Sequence, residues 1–224
     1  MTQTSAPTLI FDVNETLLDL SPVYARVNQL LGKPDAAQLW FTRSLQYALT
    51  MTVSDQYANF PEIAAATLKM LTLNQGMTSS EEELKEVLKP MTTLSPYPEV
   101  DEALKRLKNH GYQMAVLTNS SMTGVKSQLE HAGLSDYFVK QLSVESLRKY
   151  KPHKEVYTWS AQNLQVAPAD CMLVAAHGWD VAGAKWAGMK TAFIARPGQQ
   201  LFPLADAPDL WVRNMRELAD ALCG

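Results

Sequence analysis

Four side chains of this chain combine types that could carry out covalent chemistry. Asp12 and Asn119 each follow a run of apolar residues, Asp180 lies shortly after a third run, and Lys151 opens a helical pattern. An aspartate can act as a nucleophile and form a covalent intermediate. A nearby lysine favours the ionised carboxylate, and an amide can hold a substrate anion. Asp180 could orient the lysine or a water molecule.

These side chains need elements that bring them together. Apolar runs typical of buried strands alternate with helical patterns, which predicts an α/β fold with a parallel sheet covered by helices on both faces. The predicted strands are residues 8–13, 113–118, 171–176, 191–194 and 210–212. The predicted helices between and after them are residues 100–109, 123–132, 155–163, 181–187 and 215–222. Sheets of this kind place their ligands at the carboxyl ends of the strands.

One region interrupts the alternation of strands and helices. Between residues 21 and 96 the sequence shows amphipathic helical patterns and no convincing strand. The predicted helices there are residues 23–31, 36–50, 60–73 and 80–88. We therefore expect a catalytic core of residues 1–20 and 97–224 and a helical cap of residues 21–96. A cap over the strand ends would help to exclude water from a site there.

Composition excludes several other classes of protein. The formal net charge of −3 gives no basic field for nucleic-acid binding. No apolar stretch approaches the ~20 residues of a membrane span, and residues 1–7 lack the pattern of a signal peptide. Cys171 and Cys223 match no metal-binding spacing and are expected to be reduced thiols. These features favour a cytoplasmic enzyme acting on a small molecule.

Short motifs in a fixed order surround the candidate residues. They are Phe11-Asp12-x-x-x-Thr16-Leu17, Leu117-Thr118-Asn119, Tyr150-Lys151-Pro152 with Tyr157, and Trp179-Asp180-x-x-Gly183-Ala184, with Tyr57-x-x-Phe60 in the cap. Together they resemble the haloacid dehalogenase superfamily and, within it, the L-2-haloacid dehalogenase branch, over essentially the whole chain. The resemblance implies a Rossmann-like core with a cap inserted after the first strand, and it allows a homodimer.

The resemblance also implies a mechanism. Asp12 would attack C2 of a short 2-substituted carboxylic acid, expel the leaving group and form an aspartyl ester that water then hydrolyses. Thr16, Lys151, Asp180 and His177 would complete the catalytic group, and neither a metal nor another cofactor would be needed. The substrate contacts implied by the resemblance are Val13, Asn14, Phe41, Phe60, Thr118, Asn119, Tyr157 and Trp179.

Two positions argue against the phosphatases of the same superfamily. Those enzymes typically have the sequence Asp-x-Asp in the first motif, and the second aspartate serves as general acid and base. Here that position is Asn14, which cannot exchange a proton in this way. A second expected carboxylate is replaced by Ala176, and Mg²⁺ prefers oxygen ligands of this kind. A magnesium-dependent phosphatase is therefore a minor alternative, as is a non-catalytic binding protein on this fold.

Two departures from the dehalogenase pattern leave the leaving group open. Phe41 stands where the resembled family has an arginine that helps to bind halide. A strained ring amine such as azetidine-2-carboxylate is an alternative substrate, because a cationic group would suit an aromatic wall. His177 stands where the family has asparagine. It could be a general base with a near-neutral pKa, or a passive hydrogen-bond donor.

Overall fold

Residues 6–224 are described by a computed structural model, and a parallel sheet runs through it. Its strands are β1 (Thr8–Phe11), β2 (Met114–Thr118), β3 (Lys140–Ser143), β4 (Cys171–Ala175), β5 (Lys190–Ile194) and β6 (Leu210–Val212). Their order across the sheet is β3-β2-β1-β4-β5-β6, and every neighbouring pair is parallel. The α/β class and the parallel sheet are as predicted.

Helices lie between the strands and after the last of them. They are α1 (Ser21–Leu31), α2 (Ala36–Val53), α3 (Phe60–Asn74), α4 (Glu81–Leu88), α5 (Val100–Asn109), α6 (Met122–His131), α7 (Lys154–Asn163), α8 (Gly178–Trp186) and α9 (Met215–Cys223). Every predicted helix is present within the described residues, with ends that differ by at most three positions. None of these helices is long and apolar enough to cross a membrane.

The strand β3 was not predicted. Its sequence, Lys140-Gln141-Leu142-Ser143, contains a single apolar residue, and its first residue is exposed. A strand at the edge of a sheet is only partly covered, so it does not need the continuous apolar run by which buried strands are recognised. Its position was decided by pairing with β2, where Leu117 aligns with Leu142.

The register of the central strands creates the site. All four residues of β1 are buried, and Phe11 aligns with Val116 of β2 and Val174 of β4. The chain segments that leave these three strands therefore begin at the same edge of the sheet. Asp12 is the first residue after β1, so its carboxylate is directed into the crevice at that edge.

Four helices, α1 to α4, separate β1 from α5, and a 3₁₀ turn at Lys89–Thr92 follows them. The α4 helix begins with a capping box in which Ser80 accepts a hydrogen bond from the backbone N–H of Glu83, while the Glu83 carboxylate accepts one from Ser80. Helices α2 and α3 pack together through Trp40, whose indole N–H donates to the carbonyl of Ala64. The division into two domains at residues 20 and 97 stays a prediction.

Candidate active site

Asp12 is buried at the end of β1 and is held on both of its oxygens. The ammonium of Lys151 donates to its Oδ1 at 2.8 Å, and the hydroxyl of Thr16 donates to its Oδ2 at 2.8 Å. Burial alone would raise the pKa of Asp12. The positive charges of Lys151 and His177 outweigh burial and hold the pKa of this carboxyl well below its usual range. Asp12 is therefore ionised at neutral pH.

Lys151 lies between two carboxylates. Besides Asp12, its ammonium donates to Asp180 Oδ2 at 2.6 Å and to the carbonyl of Leu117 at 3.0 Å, which satisfies all three of its N–H groups. Burial would lower the pKa of Lys151, but the two carboxylates raise it above the ordinary value. The ammonium thus stays charged although its side chain is only 1% exposed.

Asp180 is fully buried in the first turn of α8. Its Oδ1 accepts a hydrogen bond from the hydroxyl of Tyr157 at 2.6 Å, while its Oδ2 accepts from Lys151. Burial and the charge of Asp12 raise the pKa of Asp180, although Lys151 opposes this. A raised pKa makes Asp180 a better proton acceptor than an ordinary carboxylate would be.

The loop after β1 is braced from several sides. The Thr16 hydroxyl, which donates to Asp12, accepts from the backbone N–H of Ala176 at 3.0 Å. The guanidinium of Arg196 donates to the Thr16 carbonyl at 2.9 Å and to Glu99 at 2.7 Å. Arg196 also lies over the ring of Tyr97, 3.6 Å from its centroid. This buried arginine fixes the conformation of the loop that carries Asp12.

His177 lies between the carboxylates of Asp12 and Glu15. Its Nε2 is 2.8 Å from Glu15 Oε2, and its Nδ1 is 3.3 Å from Asp12 Oδ2. Burial would lower the pKa of His177, but the two carboxylates raise it to about 9. The imidazole is therefore protonated at neutral pH. The expectation of a general base with a near-neutral pKa is wrong for the free enzyme, and the hydrogen-bond donor alternative fits the geometry.

A cleft of about 1110 Å³ opens between the strand ends and the helix α2. Phe41 lines it from α2 and stacks on the ring of His177, with centroids 6.1 Å apart. Trp179 stacks on the same imidazole at 5.2 Å, and Lys151 lies 5.9 Å from the Trp179 ring. The ring of Phe60 packs against that of Phe41, with ring centroids 6.2 Å apart. The cleft thus has an aromatic wall beside two cationic side chains.

Several predicted substrate contacts have other partners in the structure. Tyr157 is fully buried and donates to Asp180, so it positions that carboxylate, and its predicted contact with substrate stays a prediction. The amide of Asn14 donates to Ser120 Oγ at 3.2 Å and accepts from Gln128 at 3.1 Å, which engages both of its polar atoms. Val13 is completely buried in the core. None of these three side chains lines the cleft.

The turn after β2 positions the backbone of Lys151. Asn119 Oδ1 accepts a hydrogen bond from the backbone N–H of Lys151 at 3.0 Å. Thr118 is buried, and its hydroxyl accepts a hydrogen bond from the backbone N–H of Ser120 at 3.1 Å. Both residues therefore reach the site through other protein groups, and their predicted contact with substrate stays a prediction.

Sequence reasoning missed two residues of the site. One is Glu15, whose carboxylate binds His177 and whose backbone adopts the left-handed conformation, with φ 61°. Arg196 was not considered at all. It lies two residues after β5, so its place shortly beyond a strand end was the signal that could have identified it.

Gly183 of α8 allows the close approach of the segment that carries Lys151. A Cβ at this position would lie 2.5 Å from Pro152 Cβ and 2.7 Å from the hydroxyl of Tyr157. We expect Gly183→Ala to lower the free energy of unfolding by about 1–3 kcal/mol through overpacking. It should also lower activity, because Tyr157 would be displaced from Asp180. Urea unfolding and an activity assay check both effects.

Gly124→Ala is the matched control, since Gly124 lies in the helix α6 and the nearest contact of its added Cβ is a serine hydroxyl at 3.1 Å. This change should leave activity intact. Equal losses of activity in the two variants would contradict the packing argument.

Among residues 6–224, no group of three or more His, Cys, Asp or Glu side chains is arranged to hold a metal ion. The two cysteines are both free thiols, with Cys171 buried.

The family model for haloacid dehalogenase-like hydrolases matches residues 6–188. The chain is 28% identical to the (S)-2-haloacid dehalogenase of Pseudomonas sp. (strain YL) over 95% of its own length and 92% of that protein. It is 31% identical to haloacetate dehalogenase H-2 of Moraxella sp. (strain B), over 92% of this chain and 93% of that protein.

The fold has close counterparts among solved structures. One is L-2-haloacid dehalogenase from Xanthobacter autotrophicus with chloropropionic acid covalently bound. The TM-score is 0.90 at 24% identity, and the match covers 98% of this chain and 99% of that one. At 24% sequence identity, this similarity shows that the two proteins share a fold.

Proposed function

The chain belongs to the haloacid dehalogenase-like hydrolase family, and we propose that it hydrolyses short (S)-2-haloacids by displacing halide from C2. The observation that carries this proposal is the ionised carboxylate of Asp12, bound to Lys151 at 2.8 Å at the edge of the sheet where the cleft opens. The (S)-2-haloacid dehalogenase of Pseudomonas sp. (strain YL), to which the chain is similar along 95% of its length, supports the substrate class.

The chemistry follows from the site in two steps. A carboxylate oxygen of Asp12 attacks C2 from the side opposite the halogen, the carbon–halogen bond breaks with its electron pair, and halide leaves. The resulting aspartyl ester is then attacked by water at the carboxyl carbon of Asp12, and Asp180 is the proposed proton acceptor. Only the first step changes C2, so its configuration inverts and an (S)-2-haloacid gives an (R)-2-hydroxyacid.

The geometry disfavours the two enzymatic alternatives. Opening of a cationic ring amine would bring a positive charge beside Lys151 and the protonated His177, and like charges at short distance repel. The phosphatase alternative needs an acid–base residue at position 14. Asn14 is engaged by Ser120 and Gln128 and has no exchangeable acid proton.

We expect purified protein to release halide from (S)-2-chloropropionate and to form (R)-lactate. Parallel assays with azetidine-2-carboxylate and with p-nitrophenyl phosphate plus Mg²⁺ provide the competing substrates. Phosphate release alone, dependent on Mg²⁺, would overturn the displacement mechanism. Ring opening without halide release would leave the aspartate attack but change the leaving group.

A single turnover in ¹⁸O-labelled water tests the ester separately. Because water attacks the carboxyl carbon of Asp12, the first label should enter Asp12, and the first product should carry an unlabelled hydroxyl oxygen. Mass spectrometry of the Asp12 peptide and of the product measures both. Label in the first product and none in Asp12 would show direct attack of water on C2.

A further inference from the structure

The imidazole of His177 can interact only through its edges. It is 5% exposed, and the rings of Phe41 and Trp179 stack on it, with interplanar angles of 29° and 28°. Any group that His177 binds must therefore approach one of its two ring nitrogens in the plane of the ring.

Glu15 determines that the Nε2 atom of His177 carries a proton. The Glu15 carboxylate lies 2.8 Å from Nε2 and accepts a further hydrogen bond from the hydroxyl of Tyr24 at 2.9 Å. An ionised carboxylate can only accept hydrogen bonds, so Nε2 must carry a proton. The neutral imidazole would then have no proton on Nδ1. An Nδ1–H group exists beside Asp12 only when the ring is the imidazolium.

The Nδ1 edge is a buried donor that faces the reacting carboxylate. It lies 3.3 Å from Asp12 Oδ2, but it has no well-aligned hydrogen-bond partner. Asp12 Oδ2 is instead held by the hydroxyl of Thr16. Donors that stabilise a transition state point to where charge will develop, and in the free enzyme they are often long or poorly aligned.

The charges around the ring favour the imidazolium. The groups that face it are Asp12 and Glu15 in the loop after β1, while α2 contributes the uncharged ring of Phe41. The ammonium of Lys151 lies 5.9 Å from the ring of Trp179, which stacks on the imidazole. Burial opposes protonation, but the two carboxylates raise the pKa of His177 to about 9. In the free enzyme at neutral pH the Nδ1–H is therefore present. Ester formation removes the charge of Asp12, so Glu15 alone then holds the imidazolium until the oxyanion restores a negative charge at Oδ2.

We propose that His177 is a catalytic residue of the hydrolytic step, donating its Nδ1–H to the oxyanion that forms at Asp12 Oδ2, and that Glu15 is its positioning residue. The inference rests on the proposed function. In this arrangement Oδ1 attacks C2 and becomes the ester oxygen, and Oδ2 becomes the ester carbonyl oxygen. Thr16 and His177 then form the oxyanion hole around Oδ2.

The step balances in atoms and charge. Water attacks the carboxyl carbon of Asp12, its proton passes to Asp180, and the carbonyl electron pair moves onto Oδ2. Collapse of this intermediate breaks the bond between the carboxyl carbon and Oδ1. The departing 2-hydroxyacid oxygen takes the proton of the newly added hydroxyl, Asp12 is again a carboxylate, and Asp180 releases its proton to solvent.

His177→Gln should slow ester hydrolysis by roughly 100-fold, the usual loss for one oxyanion-hole donor, and leave the first step largely intact. With (S)-2-chloropropionate we therefore expect a burst of about one halide per active site, and a mass increase on the Asp12 peptide after acid quench. The control His131→Gln changes an exposed histidine of α6 and should show neither effect.

These measurements separate two failures. If the parent protein releases no halide, the proposed function is wrong. If the parent turns over but His177→Gln shows only a higher KM, with no burst and no trapped ester, the role of His177 in hydrolysis is overturned.

Glu15→Gln tests the positioning role with a readout other than activity, and also serves if His177→Gln folds poorly. With one of the two carboxylates gone, the pKa of His177, measured by NMR of labelled histidine, should fall. The alkaline decline of kcat should move to lower pH with it. A kcat reduced equally at every pH, or an alkaline limit that stays in place while the pKa of His177 falls, would contradict the assignment.

Discussion

Asp12→Asn is expected to reduce halide release from (S)-2-chloropropionate by at least about 10⁴-fold, because the variant has no ionised oxygen with which to attack C2. The amide keeps the size of the side chain. It also removes one of three carboxylates, Asp12, Glu15 and Asp180, that face the two cations of the site. The folded state should therefore persist, and urea unfolding will show whether it does.

The control for this variant is Asp206→Asn, which changes an exposed aspartate outside the cleft. We expect parental rates from the control. If Asp12→Asn kept a tenth or more of the parental rate, while its mass showed that the asparagine had not deamidated, Asp12 could not be the nucleophile.

Lys151→Met should abolish turnover and lower the free energy of unfolding by about 3–5 kcal/mol. The substitution keeps an unbranched side chain of similar length but leaves Asp12 and Asp180 without their shared cation in a buried site. It also leaves the carbonyl of Leu117 without this donor. The loss of stability should be smaller in mild acid, because protonating Asp180, whose pKa is already raised, removes one of the unpaired charges.

Lys149→Met is the matched control, two residues earlier in the chain. Lys149 pairs with Glu155 on the surface, where their side chains are 31% and 48% exposed. Exposed pairs of this kind contribute at most about 1 kcal/mol. Thermal or urea unfolding of the two variants therefore separates the buried ion cluster from a general effect of removing a lysine. Equal destabilisation would mean that the burial of Lys151 has no energetic consequence.

Most of the fold could be predicted because buried strands and amphipathic helices leave local patterns in the sequence. The run Thr8-Leu9-Ile10-Phe11 is apolar since both faces of β1 are covered, and this placed Asp12 at a strand end. The edge strand β3 left no such pattern. Local patterns also give no information on contacts between distant residues. The partner of Tyr157 was therefore not predicted, because Asp180 lies 23 residues away.

His177 shows why charge states could not be inferred from sequence. A histidine in isolation suggests a near-neutral base, and nothing within its own segment indicates otherwise. Its partners, Asp12 and Glu15, precede it by more than 160 residues, and their proximity depends on the pairing of β1 with β4. Two carboxylates at short distance then favour the imidazolium, against the effect of burial.

The sequence by itself determined the order of the helices and of every strand except β3, the helical insertion after β1 and the identity of the nucleophile candidate, because each depends on residues that are near one another in the chain. Only the tertiary structure decided that Lys151 lies between Asp12 and Asp180, that Asn14 and Tyr157 have structural partners, and that Glu15 and Arg196 belong to the site. These contacts join distant segments, and their geometry follows from the register of the sheet and the packing of loops at its edge.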